Sequence, residues 1–139
     1  MFKNVCEIVF FSVFVLMSLG CSGASSVNGG LEPVETIVLD ETFTVRVSID
    51  RNEVFALDMH NPIAKGYRIS GAFFDPNALM MDRFIDYDDD GEPRVRYLFT
   101  GLADGVSDVL IKMTPVSGGD AMVYKEISVK IGGGRGLFD

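Results

Sequence analysis

The sequence has no tryptophan, a single histidine and two cysteines among its 139 residues. Both cysteines, Cys6 and Cys21, lie in or next to an apolar N-terminal segment, so the rest of the chain cannot form an internal disulfide. That remainder has His60 but no thiol to pair with it, and it contains neither Gly-x-Ser-x-Gly nor the paired histidines of a zinc site. These absences predict a protein that is not an enzyme.

Basic residues are also scarce. The chain has 12 lysines and arginines against 20 aspartates and glutamates, which gives a formal net charge of −8. The lysines and arginines do not cluster, whereas a nucleic-acid-binding protein needs a concentrated basic surface. The composition therefore predicts no nucleic-acid partner.

The N-terminal segment has the features of an export signal. Lys3 precedes Ile8–Leu19, an apolar run of 12 residues. A membrane-spanning helix needs roughly 20 apolar residues, so this run is too short to be one. We expect residues 1–20 to be a signal peptide.

The segment closes with Ser18-Leu19-Gly20-Cys21, which resembles the lipobox of bacterial lipoproteins. The resemblance implies cleavage before Cys21, lipidation of Cys21, and a protein held on a membrane, on its periplasmic side or at the cell surface. The alternative is an ordinary secretory peptide that is cut nearby.

The next residues, Ser22–Gly30, are small, polar and rich in glycine, as in flexible tethers. We expect a flexible linker over residues 21–33, one folded domain over residues 34–132 and a loose tail over residues 133–139.

Within the domain, apolar and polar residues alternate, which is typical of strands with one buried face. Asp75-Pro76 predicts the start of one helical turn over Pro76–Met80. Short strands separated by turn signals predict an immunoglobulin-like antiparallel β-sandwich of about seven strands, with a small barrel as the alternative. The alternation is clear in Thr42–Ile49, Glu53–Met59, Tyr67–Phe73, Arg94–Phe99, Val109–Met113 and Val123–Ile131.

A distinctive loop separates two of these strands. Its residues are Asn61, Pro62, Ile63, Ala64, Lys65, Gly66 and Tyr67. Proline cannot donate to a sheet and glycine permits a sharp turn, so the segment is predicted to leave the sheet. A plain connector that binds nothing is the alternative to a functional loop.

This order of features resembles the chagasin-type inhibitors of papain-like cysteine peptidases, in which Asn-Pro-Thr-Thr-Gly-(Tyr/Phe) forms a loop of an immunoglobulin-like sandwich. The resemblance extends over residues 36–131 and includes the aromatic stretch Arg96–Gly105. The family's Gly-x-Gly-Gly element corresponds to the acidic region Asp86–Pro93. Its Arg-Pro-Trp element corresponds to Thr114-Pro115-Val116, which keeps only the proline.

The resemblance implies that a monomer inserts loops from one end of the sandwich into the active-site cleft of a papain-like cysteine peptidase. It assigns contacts to Asn61–Tyr67 and to Pro115, Val116, Ser117 and Gly118. The alternative is a non-inhibitory immunoglobulin-like lipoprotein that binds another partner or acts as a scaffold.

An acidic segment, Asp86-Tyr87-Asp88-Asp89-Asp90-Gly91, has the spacing of a calcium loop. Asp86, Asp88 and Asp90 would occupy positions 1, 3 and 5, but position 12 is Tyr97 rather than glutamate. Two interpretations stay open, a calcium site and a solvated acidic loop. No other cofactor is expected.

Overall fold

The computed structural model describes residues 27–133 of the chain. The predicted signal peptide, Cys21 and most of the predicted tail lie outside these residues. Within them, no helix is long and apolar enough to cross a membrane.

The described residues form eight strands and one short helix. The elements are β1 Glu35–Val38, β2 Thr44–Ile49, β3 Val54–His60, a one-turn 3-10 helix Pro62–Lys65, β4 Tyr67–Phe73, β5 Leu79–Asp89, β6 Glu92–Gly101, β7 Gly105–Pro115 and β8 Met122–Ile131.

The strands form two four-stranded sheets. The first sheet has the order β1-β3-β6-β5 and the second has the order β2-β8-β7-β4. The edge strands β1 and β2 pair in parallel with β3 and β8, and all other pairs are antiparallel. This confirms the predicted immunoglobulin-like β-sandwich, with eight strands in place of about seven.

The core lies between the sheets, on the apolar face that the alternating pattern predicted. Phe99 contacts both Phe55 and Phe74, with ring centroids 5.7 and 5.2 Å apart. Burial of large apolar side chains is the main favourable term in such a fold, at about 25 cal/mol per Å². The predicted inward residues that are buried here are Val47, Ile49, Phe55, Leu57, Met59, Val95, Tyr97, Phe99, Val109, Ile111, Ile127, Val129 and Ile131.

Strands β1 and β5 are the elements that the sequence analysis missed. The predicted helical turn Pro76–Met80 is wrong in its extent, because only residues 76–78 turn, with hydrogen bonds from the Asn77, Ala78 and Leu79 amides to Asp75, and β5 begins at Leu79. The interpretation of Asp86–Gly91 as a loop is also wrong, because β5 extends to Asp89 and only Asp90 and Gly91 form the turn before β6. The pairing register shifts between Met81 and Arg83, and this bulge interrupts the alternation along the strand.

The last part of the predicted linker lies against the first sheet. Asn28 accepts a hydrogen bond from Arg96 at 2.7 Å, and the Val34 amide donates to Val54 at 2.8 Å. A side chain at Gly29 would collide with the Arg83 guanidinium. Residues 28–34 therefore pack along the domain before β1 begins.

The pairing directions place four connections together. Strands β1, β3, β5 and β7 all end at one end of the sandwich, and β2, β4, β6 and β8 begin there. We call this the loop end. It carries the β1–β2 loop, the β3–β4 loop, the β5–β6 hairpin turn and the β7–β8 loop.

Candidate functional site at the loop end

The β3–β4 loop is a capped 3-10 turn. Asn61 is its N-cap, and its side chain accepts a hydrogen bond from the Ile63 amide at 3.1 Å. Pro62 is buried at the first turn, where its missing N–H costs nothing. Gly66 ends the turn with φ 84°, a left-handed conformation that suits glycine. The loop conformation is therefore set by its own sequence.

This loop crosses from one sheet to the other. It leaves β3 in the first sheet at His60 and enters β4 in the second sheet at Tyr67. It is therefore not a hairpin connection, and Pro62 is its buried residue. Ile63 is 47% exposed and Ala64 and Lys65 are also exposed, so the outer side of the loop faces solvent.

The β7–β8 loop lies directly beside it. The Val116 amide donates to the Gly66 carbonyl at 2.9 Å, and Pro115 pairs with Tyr67. The Gly118 amide donates back to Pro115 at 3.0 Å, which closes a turn through Ser117. Val116 is 57% exposed. The two segments assigned to peptidase contact thus form one surface.

The β5–β6 hairpin turn borders the other side of the β3–β4 loop. The Asn61 amide donates to the Pro93 carbonyl at 2.9 Å, and the Asn61 side chain donates to Asp86 at 3.3 Å. Asp90 and Gly91 both have positive φ, at 52° and 86°, as Asp-Gly does in tight hairpin turns. This turn is short and acidic.

The three aspartates of the predicted calcium loop lie on this hairpin. Asp86 and Asp88 belong to β5, where Asp86 contacts Asn61 and Asp88 accepts from the Gly91 amide at 2.6 Å. Asp90 is in the turn. Among residues 27–133, no three histidine, cysteine, aspartate or glutamate side chains converge as metal ligands. Calcium binding stays a prediction that this extended arrangement does not favour.

Beneath the loop end, a polar network that the sequence analysis did not predict covers the outer face of the first sheet. The Asp58 carboxylate is almost completely buried and accepts from Arg94 and Arg96, each at 2.7 Å. The Tyr87 hydroxyl donates to Asp58 at 2.5 Å, and burial together with this bond raises the pKa of Tyr87. Arg94 and Arg96 alternate with core residues, as expected for an outer face, but that alternation gives no sign that they are covered.

Asp40 connects this network to the β1–β2 loop. Its carboxylate accepts from two nitrogens of Arg94, at 3.0 and 3.1 Å, and from the His60 amide at 3.1 Å. Burial acts to raise the pKa of Asp40, but the hydrogen bonds and charge of Arg94 outweigh it, and the pKa is lowered. His60 is partly exposed, with its ring 3.3 Å from both Asp40 and Glu92.

Two residues of β8 hold the loop end from the second sheet. The Tyr124 hydroxyl donates to the His60 carbonyl at 2.9 Å, immediately before the β3–β4 loop. Lys125 is buried, and its ammonium donates to backbone carbonyls of Leu39 and Thr42. Desolvation lowers the pKa of Lys125. The alternation over Val123–Ile131 puts Lys125 in phase with the inward residues, but it gave no indication of the carbonyl partners that make a buried lysine stable there.

No family model matches the chain, and no curated protein matches it significantly. Solved structures do match. The chain is similar to the cysteine protease inhibitor EhICP2 from Entamoeba histolytica, with a TM-score of 0.55 and 11% identity over 73% of this chain and 100% of that one. It is also similar to PbICP-C, solved in complex with falcipain-2, with a TM-score of 0.50 and 16% identity over 70% of this chain and 99% of that one.

At these identities the comparisons establish the fold. Nearly the whole length of each solved chain is covered, so the likeness extends over a complete domain.

Proposed function

We propose that the protein is a lipid-anchored inhibitor of papain-like cysteine peptidases, which acts by reversible insertion of the loop end into the active-site cleft. The observation that carries the proposal is that the β3–β4 loop is bonded directly to the β7–β8 loop, through Val116 to Gly66, and to the start of β6 beside the hairpin turn, through Asn61 to Pro93. The similarity to a cysteine protease inhibitor and to a protein in complex with falcipain-2 supports it.

Rigidity is the physical basis of the proposed inhibition. A surface that is ordered before binding loses little conformational entropy when a partner covers it. An interface of ordinary size would bury about 800 Å² on each partner. The exposed apolar side chains Ile63 and Val116 would enter the cleft, and the backbone around Gly66 would lie against the catalytic centre. No group of the inhibitor reacts, so inhibition is competitive and the inhibitor is not cleaved.

The membrane is the second proposed partner. Lipidation of Cys21 would hold the domain at the periplasmic side of a membrane or at the cell surface. Residues 22–26 would be the only chain between the lipid and Val27, where the described residues begin.

A second function class is favoured by one observation. The β5–β6 turn has two residues and the exposed aliphatic residue Val116 occupies the β7–β8 loop, so neither of these two connections presents the large aromatic anchor that often dominates binding energy. A non-inhibitory immunoglobulin-like lipoprotein, used as a binding or scaffold module, would need no such anchor.

One experiment distinguishes the inhibitor from the scaffold function. Residues 27–139 are titrated against papain and a panel of related cysteine peptidases. The inhibitor proposal expects saturable, competitive loss of activity, with intact protein recovered afterwards. Full peptidase activity at tens of micromolar protein would reject it and leave the scaffold function.

A further inference from the structure

A fourth connection, the β1–β2 loop of residues 39–43, belongs to the loop end and is held as firmly as the other three. The Lys125 ammonium donates to the carbonyls of Leu39, Asp40 and Thr42. Lys125 is 6% exposed, so these bonds are shielded from water. A buried ammonium must satisfy its donors, and here the loop backbone does so.

The β1–β2 loop is also fixed relative to the β3–β4 loop. Asp40 accepts from the His60 amide, and His60 directly precedes Asn61. Asp40 is held in turn by Arg94. The β1–β2 loop is therefore bonded to the end of β3, from which the β3–β4 loop starts, and the two loops keep a fixed relative position.

Between these two loops lies a hollow of about 400 Å³. Asp40 and Glu41 line one side, and Pro62, Ala64 and Lys65 line the other. The lining is completed by His60, Asn61, Glu92, Pro93 and Tyr124. Any partner that covers the outer side of the β3–β4 loop covers this hollow as well.

The lining combines apolar surface with three carboxylates. Ala64 is exposed and Pro93 is partly exposed, and both offer surface to a hydrocarbon chain. Asp40 pairs with Arg94, and Glu92 lies 3.3 Å from the His60 ring and 3.9 Å from Arg94. Glu41 is exposed and forms no direct ion pair among the described residues, although its charge acts to raise the pKa of the buried Lys125. A long cationic side chain fits both properties, because its methylene stem packs on apolar surface while its head meets a carboxylate.

We propose that the β1–β2 loop is a fourth contact element of the loop end, and that the hollow receives a lysine or arginine side chain from the rim of the peptidase cleft, with Glu41 as its charged partner. This inference rests on the proposed function and names the chemistry that the partner presents beside the cleft.

The test compares two charge reversals in the full chain, purified in a mild detergent. Glu41→Lys changes the hollow, and Glu35→Lys makes the same change in net charge at another exposed glutamate, located at the opposite end of β1. The inhibition constant and the association rate are measured against papain and against the panel member that wild type inhibits most tightly. Both variants should keep the wild-type melting temperature, since both positions are exposed.

Glu41→Lys should weaken inhibition about tenfold at low salt, with much of the loss in the association rate, and the loss should shrink at high salt. Glu35→Lys should stay within about twofold of wild type, because its charge is distant from the contact. Equal effects of the two variants, with wild type inhibiting, would overturn the fourth contact and leave the proposed function intact. Failure of wild type to inhibit any peptidase would overturn both.

Discussion

The amide nitrogen of Val116 lies 2.9 Å from the carbonyl oxygen of Gly66, and this bond joins two loops that are far apart in the sequence. Gly66 can present its carbonyl there because it adopts φ 84°, ψ 20°. The position of the β7–β8 loop thus depends on a backbone conformation in the β3–β4 loop. Changes at Gly66 should consequently affect both proposed contact segments.

Replacing Gly66 by valine should weaken peptidase inhibition about tenfold. The left-handed conformation costs a residue with a side chain about 1–2 kcal/mol, and 1.4 kcal/mol corresponds to a factor of ten in binding. A Cβ at this position meets no atom within 4 Å, so the change strains the loop without a clash in the core. An inhibition assay checks the weaker binding, and circular dichroism on the same preparation checks that the fold is retained.

Gly105→Val is the matched control for this variant. Gly105 also has positive φ, at 137°, with open space around its Cβ position, but it begins β7 at the opposite end of the sandwich. It should lose comparable stability and keep full inhibition. Equal loss of inhibition in both variants would show that the loop end has no special role.

Arg94→Met should lower the free energy of unfolding by about 3–5 kcal/mol, because it leaves Asp58 buried without its closest guanidinium. The double variant Asp58→Asn, Arg94→Met should lose less than the sum of the two single variants. Denaturant unfolding measures all three. The exposed pair Arg51–Asp104, at 3.8 Å, supplies the control, since Arg51→Met should cost no more than about 1 kcal/mol.

Asp40 predicts a dependence of stability on pH. Its pKa is lowered in the folded state, so the folded state favours the ionised carboxylate and gains stability from it above the ordinary value of 3.8. This contribution is lost as the pH falls below 3.8 towards the lowered pKa. Wild type should therefore exceed Asp40→Asn in unfolding free energy at pH 6, and the difference should narrow as the solution is acidified below about pH 4. A difference that is constant from pH 6 to pH 3 would contradict the ion pair with Arg94.

The membrane anchor has its own test. Cys21→Ala should abolish labelling with a fatty-acid analogue and move the protein from the membrane fraction to the soluble fraction. Inhibition by the variant should be unchanged, since the loop end is built by residues 39–125. A variant that still sediments with membranes as wild type does would reject the lipoprotein assignment.

Calcium at millimolar concentration should leave the melting temperature unchanged. Asp86 and Asp88 lie along a strand with partners of their own, and a ligand stabilises a protein only by binding its folded state. Thermal unfolding with calcium and with magnesium checks this. A rise with calcium that is lost in Asp88→Asn would instead establish the calcium interpretation.

The local sequence pattern was sufficient to predict a strand and its buried face wherever apolar residues repeat with a period of two and face the core on one side. Val95, Tyr97 and Phe99 were assigned to the buried face from alternation alone, and they are buried. Strand β5 was not predicted from the sequence, because its bulge shifts the pairing register and its acidic end lies on an exposed edge of the sheet. Neither feature produces a regular hydrophobic pattern, and the apolar residues Met80, Met81 and Phe84 are exposed, so they do not mark one buried face.

The Asn61–Tyr67 segment shows which features of the loop end can be predicted from the sequence alone. Asn-Pro and Gly-Tyr determine a capped turn between two strands, because proline, glycine and an asparagine cap act through local backbone geometry. Only the tertiary structure decided that the turn crosses between sheets and is bonded to Pro93 and Val116. The same holds for the polar partners of Asp58 and Lys125, because Arg94, Arg96 and the β1–β2 loop are brought to these residues by long-range pairing, and such pairing leaves no trace in the neighbouring residues.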